Sequence, residues 1–162
     1  MGVMLGQVGV LQTVLWAESA PSQAIHSRFE EGERRWELTL WVDASQYITG
    51  RCGWGLWKRS VRGFYMPGDM LVVRVGSRLG GHTLRLNQNG MHISGRIGGI
   101  VTGCEIDVDA HQADVCGWLR SSPWCQQQIM VQWREMDVLL AVMIGALACY
   151  WGYVVNRWPE MS

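Results

Sequence analysis

The sequence predicts a mainly β protein, a small antiparallel sandwich or barrel, followed by one C-terminal transmembrane α-helix. Three observations predict it. Short segments alternate apolar and polar residues, turn signals separate them about every 8–12 residues, and an uncharged apolar run lies near the C-terminus. Outside that run and the tail, about 135 residues remain, which suffices for one compact domain and not for two.

Alternation is clearest over Trp36–Asp43 and Cys104–Asp109. In each segment one face would be apolar and the other largely polar, as in a half-buried strand. Further short strands are expected over Gln46–Arg51, Met70–Val75, Thr83–Leu86 and Met91–Ser94. The turn signals between them are Asp43-Ala44-Ser45, Pro67-Gly68-Asp69 and the Asn89-Gly90 dipeptide, which favours a hairpin.

An immunoglobulin-like sandwich is one candidate architecture, with Cys52 and Cys104 as the bond between its sheets. Trp54 and Trp57 follow Cys52 too closely to be the tryptophan of the third strand. Thr102 stands where a tyrosine is expected two residues before the second cysteine. The fit is therefore one of architecture alone.

The apolar run Val138–Val155 contains 18 residues and no charge. As a helix it would be about 27 Å long, close to the hydrocarbon thickness of a bilayer. Tyr150, Trp151 and Tyr153 are aromatic residues of the kind that favour the membrane interface. The run predicts a membrane span, with the lipid bilayer as a partner.

Residues 1–19 predict a signal peptide or an apolar N-terminal helix, since no charge occurs from Gly2 to Ala17 and Ala17-Glu18-Ser19 offers small residues at the two cleavage-determining positions. A signal peptide would place the domain in the secretory pathway, in the endoplasmic reticulum or at the cell surface. A tail-anchored, cytosolic orientation stays open, because one arginine flanks each end of the run. The predicted divisions are 1–19, a β-rich domain at 27–112, a membrane-proximal segment at 113–137, the span at 138–155 and a tail at 156–162.

Four cysteines lie outside the predicted span and would form two disulfide bonds in an oxidising compartment. In a cytosolic domain they would be small buried apolar residues. The spacing does not suit a zinc site. The four are Cys52, Cys104, Cys116 and Cys125.

Catalytic motifs are not visible, and we expect no enzyme, cofactor or metal. Glu105, Asp107, Asp109 and His111 would project from one side of a strand, but the expected role is a charged solvent face that discourages edge pairing. The formal net charge is zero, which gives no electrostatic case for nucleic acid.

Ten tryptophans are too many for one small core, so we expect some of them on a binding surface. Small residues spaced by four, three and four in the predicted span would let two helices approach, in a homodimer or with a partner's span. The candidates for partner binding are Trp41, Trp54, Trp57, Trp118 and Trp124; those for helix packing are Ala141, Gly145, Ala148 and Gly152.

These observations lead us to expect a single-pass membrane protein whose β-rich domain binds another protein, itself a membrane protein, and retains or redirects it. A viral factor that modulates host membrane proteins would suit this plan by analogy of architecture. Two alternatives are a structural accessory subunit of a membrane complex and a membrane-anchored barrel that holds a small apolar ligand.

Overall fold

The computed structural model is a closed antiparallel β-barrel with one helix in its interior. It describes residues 2–8, 14–19, 24–31, 34–99, 103–112, 114–122, 125–134 and 136–151. Each strand pairs with its neighbours in sequence, and β1 pairs with β12 from Val3↔Arg134 to Val8↔Ile129. The elements are β1 Gly2–Val8, β2 Val14–Ser19, β3 Ala24–Glu31, β4 Arg34–Val42, β5 Tyr47–Trp54, β6 Trp57–Met66, β7 Met70–Val75, β8 His82–Asn89, β9 His92–Gly98, β10 Gly103–Ala110, β11 Asp114–Ser122, β12 Cys125–Arg134 and α1 Val138–Cys149.

The predicted alternation places apolar residues on the inner face of the barrel and mostly polar residues on the outer face. In β10, Cys104, Ile106 and Val108 are buried, whereas the carboxylates between them are exposed. Burying apolar surface in this way supplies the main driving force for folding. The prediction of a mainly β, antiparallel fold is confirmed, and of its two architectures the structure has the barrel.

Inward-facing glycines let the strands bend tightly enough to close the barrel. The residues two positions before and two positions after each of these glycines are buried, so the glycines belong to the inner face. They are Gly50, Gly63, Gly95 and Gly117. A Cβ at Gly95 would lie 1.9 Å from the carbonyl oxygen of Arg85, and the other three would meet backbone oxygens almost as closely. Strand glycines at such close backbone approaches are typical of barrel walls.

The predicted membrane span is wrong, because its helical part lies inside the barrel. From Leu139 to Trp151 every residue is buried, and α1 contacts β12 and β1 as well as β7 and β8 on the opposite wall. Among the described residues, no helix is both long and apolar enough to cross a bilayer. A helix enclosed on all sides needs no polar stripe, which is why the run resembles a span.

Two segments that were not predicted to be strands belong to the barrel wall. Residues 2–8 and 14–19 form β1 and β2, so they are not an N-terminal helix, and removing a signal peptide at 1–19 would remove two strands of the wall. Within 113–137, the predicted membrane-proximal segment, Asp114–Ser122 forms β11 and Cys125–Arg134 forms β12. The alternation there is weakened by the apolar residues Trp118 and Met130 on the outer face and by Gly117 on the inner face.

The start and the end of α1 define the two ends of the barrel. At the entry end, the side chain of Asp137 caps α1 by accepting a hydrogen bond from the backbone N–H of Leu139 at 2.9 Å. At the exit end, the Tyr150 hydroxyl lies 2.9 Å from Nδ1 of His82. There Trp151 also stacks on Trp36, with ring centroids 6.4 Å apart. These contacts fix the C-terminal end of the helix against β4 and β8.

Replacing Gly95 with alanine tests the role of the inward glycines. The added methyl group would collide with the backbone of β8, so we expect the free energy of unfolding to fall by about 2 kcal/mol or more. Gly99→Ala is the matched control, because a Cβ there meets nothing within 4 Å. Urea unfolding measures the free energy of unfolding of both variants. An equal loss in the two would contradict the role of Gly95 in the close approach of β8 and β9.

Replacing Tyr150 with phenylalanine tests the contact at the exit end. Loss of the hydrogen bond to His82 should cost about 1 kcal/mol of unfolding free energy at pH 8. Burial, helped by Arg59 and Arg74, holds the pKa of His82 below 6.5. The folded state therefore favours neutral His82. The contribution of neutral His82 to the free energy of unfolding is fully present above pH 6.5 and is lost as the pH falls through the lowered pKa.

The cost of Tyr150→Phe should shrink over the same fall in pH, because protonation of Nδ1 removes the acceptor of the hydroxyl proton. Tyr47→Phe is the control, since Tyr47 is exposed on the outer wall. Urea unfolding at several pH values measures both variants. Equal costs, or a cost that grows on acidification, would contradict the contact.

Candidate binding surface

Four large apolar side chains lie together on the outer wall near the entry end. Tyr47 begins β5 and lies directly opposite Phe64 of β6, while Trp41 of β4 is one pair away, opposite Thr49. Met66 ends β6. Each is between 42% and 48% exposed. We call Trp41, Tyr47, Phe64 and Met66 the aromatic patch.

Strand alternation places the aromatic patch outside, because its sequence neighbours belong to the core. Leu40, Ile48 and Tyr65 are buried. Their side chains face the interior, so those of the residues beside them must point outward. The patch is therefore attached to a packed wall rather than to a loop.

A hydrogen-bonded turn holds the first residue of β5 in place. Oδ1 of Asp43 accepts hydrogen bonds from the backbone N–H groups of Ser45 and Tyr47, both at 2.9 Å, and from the Ser45 hydroxyl. The Ser45 hydroxyl, followed by the Tyr47 N–H, holds the pKa of Asp43 below its usual value. Gln46 has a φ of 66°, and its carbonyl accepts the N–H of Tyr65. These bonds tie the β4–β5 turn to β6.

A diagonal series of arginines crosses the outer wall beside the aromatic patch. Arg62 lies directly opposite Arg74, and Arg85 lies directly opposite Arg96. Arg51 of β5 is one pair away from Arg62. We call these five residues the arginine band. Val72 connects it to the patch, because Val72 pairs with Phe64 on one side and with Arg85 on the other.

One member of the arginine band also has a structural role. Arg74 donates hydrogen bonds to the hydroxyl of Thr83 at 3.0 Å and to the carbonyl oxygens of Ser77 and Arg78. It thereby fixes the connection between β7 and β8. Arg51, Arg62, Arg85 and Arg96 have no ion pair with a described residue within 4.0 Å.

Carboxylates border the arginine band on its other side. Glu105, Asp107 and Asp109 point outward from β10 and form the acidic edge. His92 of β9 lies between two of them, with Nδ1 2.9 Å from Asp109 and Nε2 3.6 Å from Asp107. The hydrogen bond with Asp109 raises the pKa of His92 above 6.5, and the charges of both aspartates add to this. No cluster among the described residues could hold a metal ion.

The three predicted tryptophan anchors whose side chains are described do not form one surface. Trp41 belongs to the aromatic patch, Trp57 is 80% exposed near the exit end, and Trp118 is exposed on β11. The side chains of Trp54 and Trp124 lie outside the described residues. The residues predicted from the sequence did not include Tyr47, Phe64, Met66 or the arginines. Alternation of Val61 and Tyr65 with Arg62, Phe64 and Met66 was the signal that could have placed those three side chains on the outer face.

Cys52, Cys104 and Cys116 form no disulfide bonds in the structure. Cys52 and Cys104 face the interior, and burial raises the pKa of Cys52 to about 12. Cys116 belongs to the outer face, so the barrel wall separates it from both. The proposed immunoglobulin-type bond between Cys52 and Cys104 is absent, and the side chain of Cys125 lies outside the described residues.

The small residues Ala141, Gly145 and Ala148 are buried in the chain's own barrel. They are therefore not available to a second helix in the way the sequence suggested. Gly152 lies outside the described residues. Their close packing partner is the wall of the same molecule.

Comparison of the chain with protein-family models, curated proteins and solved structures gives no match. The function must therefore be inferred from the residues of this chain.

Proposed function

We propose that this chain is a non-enzymatic binding protein that docks another protein on the aromatic patch. The observation that carries the proposal is the presence of four exposed large apolar side chains at the ends of three adjacent strands. Exposed single apolar residues are ordinary on protein surfaces, whereas a contiguous group is typical of an interface.

The composition of the patch and of its surroundings supports a protein partner. Tryptophan, tyrosine and arginine are the residues most enriched among those that dominate binding energy, and Trp41, Tyr47 and Arg62 lie on neighbouring strands. The hydrogen-bonded turn at Asp43 and the packed wall keep these side chains in place before binding, which lowers the entropic cost of association.

The partner expected from the sequence is a membrane protein that this chain retains or redirects, and that expectation remains part of the proposal. The location in the secretory pathway also remains a prediction. A permanent accessory subunit is the second candidate function. In such an assembly the patch would be covered constitutively rather than reversibly.

The ligand-holding barrel was the other alternative. In the structure α1 occupies the interior in which a small apolar ligand would be held.

The proposed docking surface can be tested by site-specific photo-crosslinking. A benzoylphenylalanine at Tyr47 should crosslink a defined partner in native-source cells, whereas the same residue at Gln128, exposed on the outer face of β12, should not. The purified partner should then bind the intact chain. Trp41→Ala together with Phe64→Ala should weaken that binding by more than tenfold. Aromatic anchors that become buried in a complex each contribute over about 1 kcal/mol to the binding free energy.

Gln128→Ala serves as the matched control in the binding assay. Because all these side chains are exposed, we expect the unfolding transition of the variants to stay close to that of the original chain. Equal crosslinking at the two positions, or unchanged affinity after both aromatic replacements, would contradict docking on the patch. A partner that never dissociates would favour the accessory-subunit function.

A further inference from the structure

The arginine band contains two pairs of like charges placed directly across neighbouring strands. Arg62 faces Arg74, and Arg85 faces Arg96. Like charges at such positions destabilise a sheet, whereas opposite charges stabilise it. The structure therefore carries an electrostatic cost on β6–β9 that the fold itself does not require.

Compensation from the acidic side chains that the structure describes is small. Glu105 faces Arg96 across β9 and β10, but the two side chains form no ion pair within 4.0 Å. On the other side, Glu37 of β4 pairs with Lys58 at 3.3 Å and with Arg28 at 3.9 Å. The charge of the band thus remains available to an external anion.

We propose that the partner docks through an acidic segment whose carboxylates pair with the arginine band while its apolar residues cover the aromatic patch. This inference rests on the proposed function and names the chemistry of the partner. Guanidinium groups bind carboxylates through two parallel hydrogen bonds, and such charge-assisted bonds are roughly twice as strong as neutral ones.

The acidic edge favours a short acidic segment over an extended polyanion. Glu105, Asp107 and Asp109 border the band on β10 and would repel the continuing phosphates of a nucleic acid or the charge of an anionic bilayer. In a protein segment, by contrast, the acidic residues can be confined to the part that lies over the arginine band. The chain's formal net charge of zero gives no long-range attraction to a polyanion.

The test uses the intact chain and two short fluorescent peptides. The acidic probe carries several glutamates beside a Leu-Phe pair, and the neutral probe has glutamine at every glutamate. The acidic probe should bind at least about tenfold more tightly at low salt. That advantage should fall as salt rises, because screening weakens exposed charge pairs.

Arg85→Gln should remove about tenfold of the affinity for the acidic probe and leave the neutral probe unaffected. The same variant should unfold at a higher urea concentration at low salt, because a like-charge pair is relieved. A lower affinity for the acidic probe together with a higher resistance to urea distinguishes a binding residue from a structural one. Arg28→Gln, on β3 away from the band, is the matched control.

Equal binding of the two probes, no binding of either, or no effect of Arg85→Gln would overturn the acidic segment. Tighter binding to vesicles containing phosphatidylserine or to an oligonucleotide than to the acidic probe would also overturn it, in favour of a lipid or nucleic-acid surface. Photo-crosslinking at Tyr47 reports on the proposed function separately. A partner that crosslinks there but binds independently of salt would leave docking intact and refute only the acidic chemistry.

Discussion

The packing of α1 inside the barrel is the constraint on which the rest of this structure depends. The twelve strands that the structure describes form a wall whose inner face is apolar. Its interior must be filled, because an empty interior would lose both the burial of apolar surface and the dispersion contacts of its lining. The helix supplies them on every side, which explains why it is apolar all round. Its cap at Asp137 and the contacts of Tyr150 and Trp151 fix it at the two ends.

Filling the interior from within the chain leaves the outer wall to carry function. The inward glycines allow the strands to curve around α1, and alternation then decides which residues point outward. The aromatic patch and the arginine band share this origin, because both consist of the outward positions of adjacent strands. Their side chains are held by a packed wall, so a partner would meet a preorganised surface.

The sequence predicted the strands well wherever the two faces differ in polarity. Trp36–Asp43 and Cys104–Asp109 correspond to β4 and β10, and the hairpin at Asn89-Gly90 forms with its loop at Gly90 and Met91. Strands β11 and β12 were missed because the outward apolar residues Trp118 and Met130 and the inward Gly117 blur the period. The run Val138–Val155 misled the prediction, since hydropathy reports an apolar environment and does not distinguish a bilayer from the interior of a barrel. The arginine band could not be foreseen, because register across strands β6–β9 is set by the tertiary fold.

Nuclear Overhauser effects between methyl groups would test the position of α1 most directly. With Ile, Leu and Val methyls labelled, Ile144 and Leu147 of α1 should show contacts to the wall. Because the helix touches opposite sides, these should include methyls of β12, such as Val131, and methyls of β8, such as Leu84. Contacts to both walls are the predicted result. Contacts of the α1 methyls only to detergent or lipid acyl chains would contradict the enclosed helix.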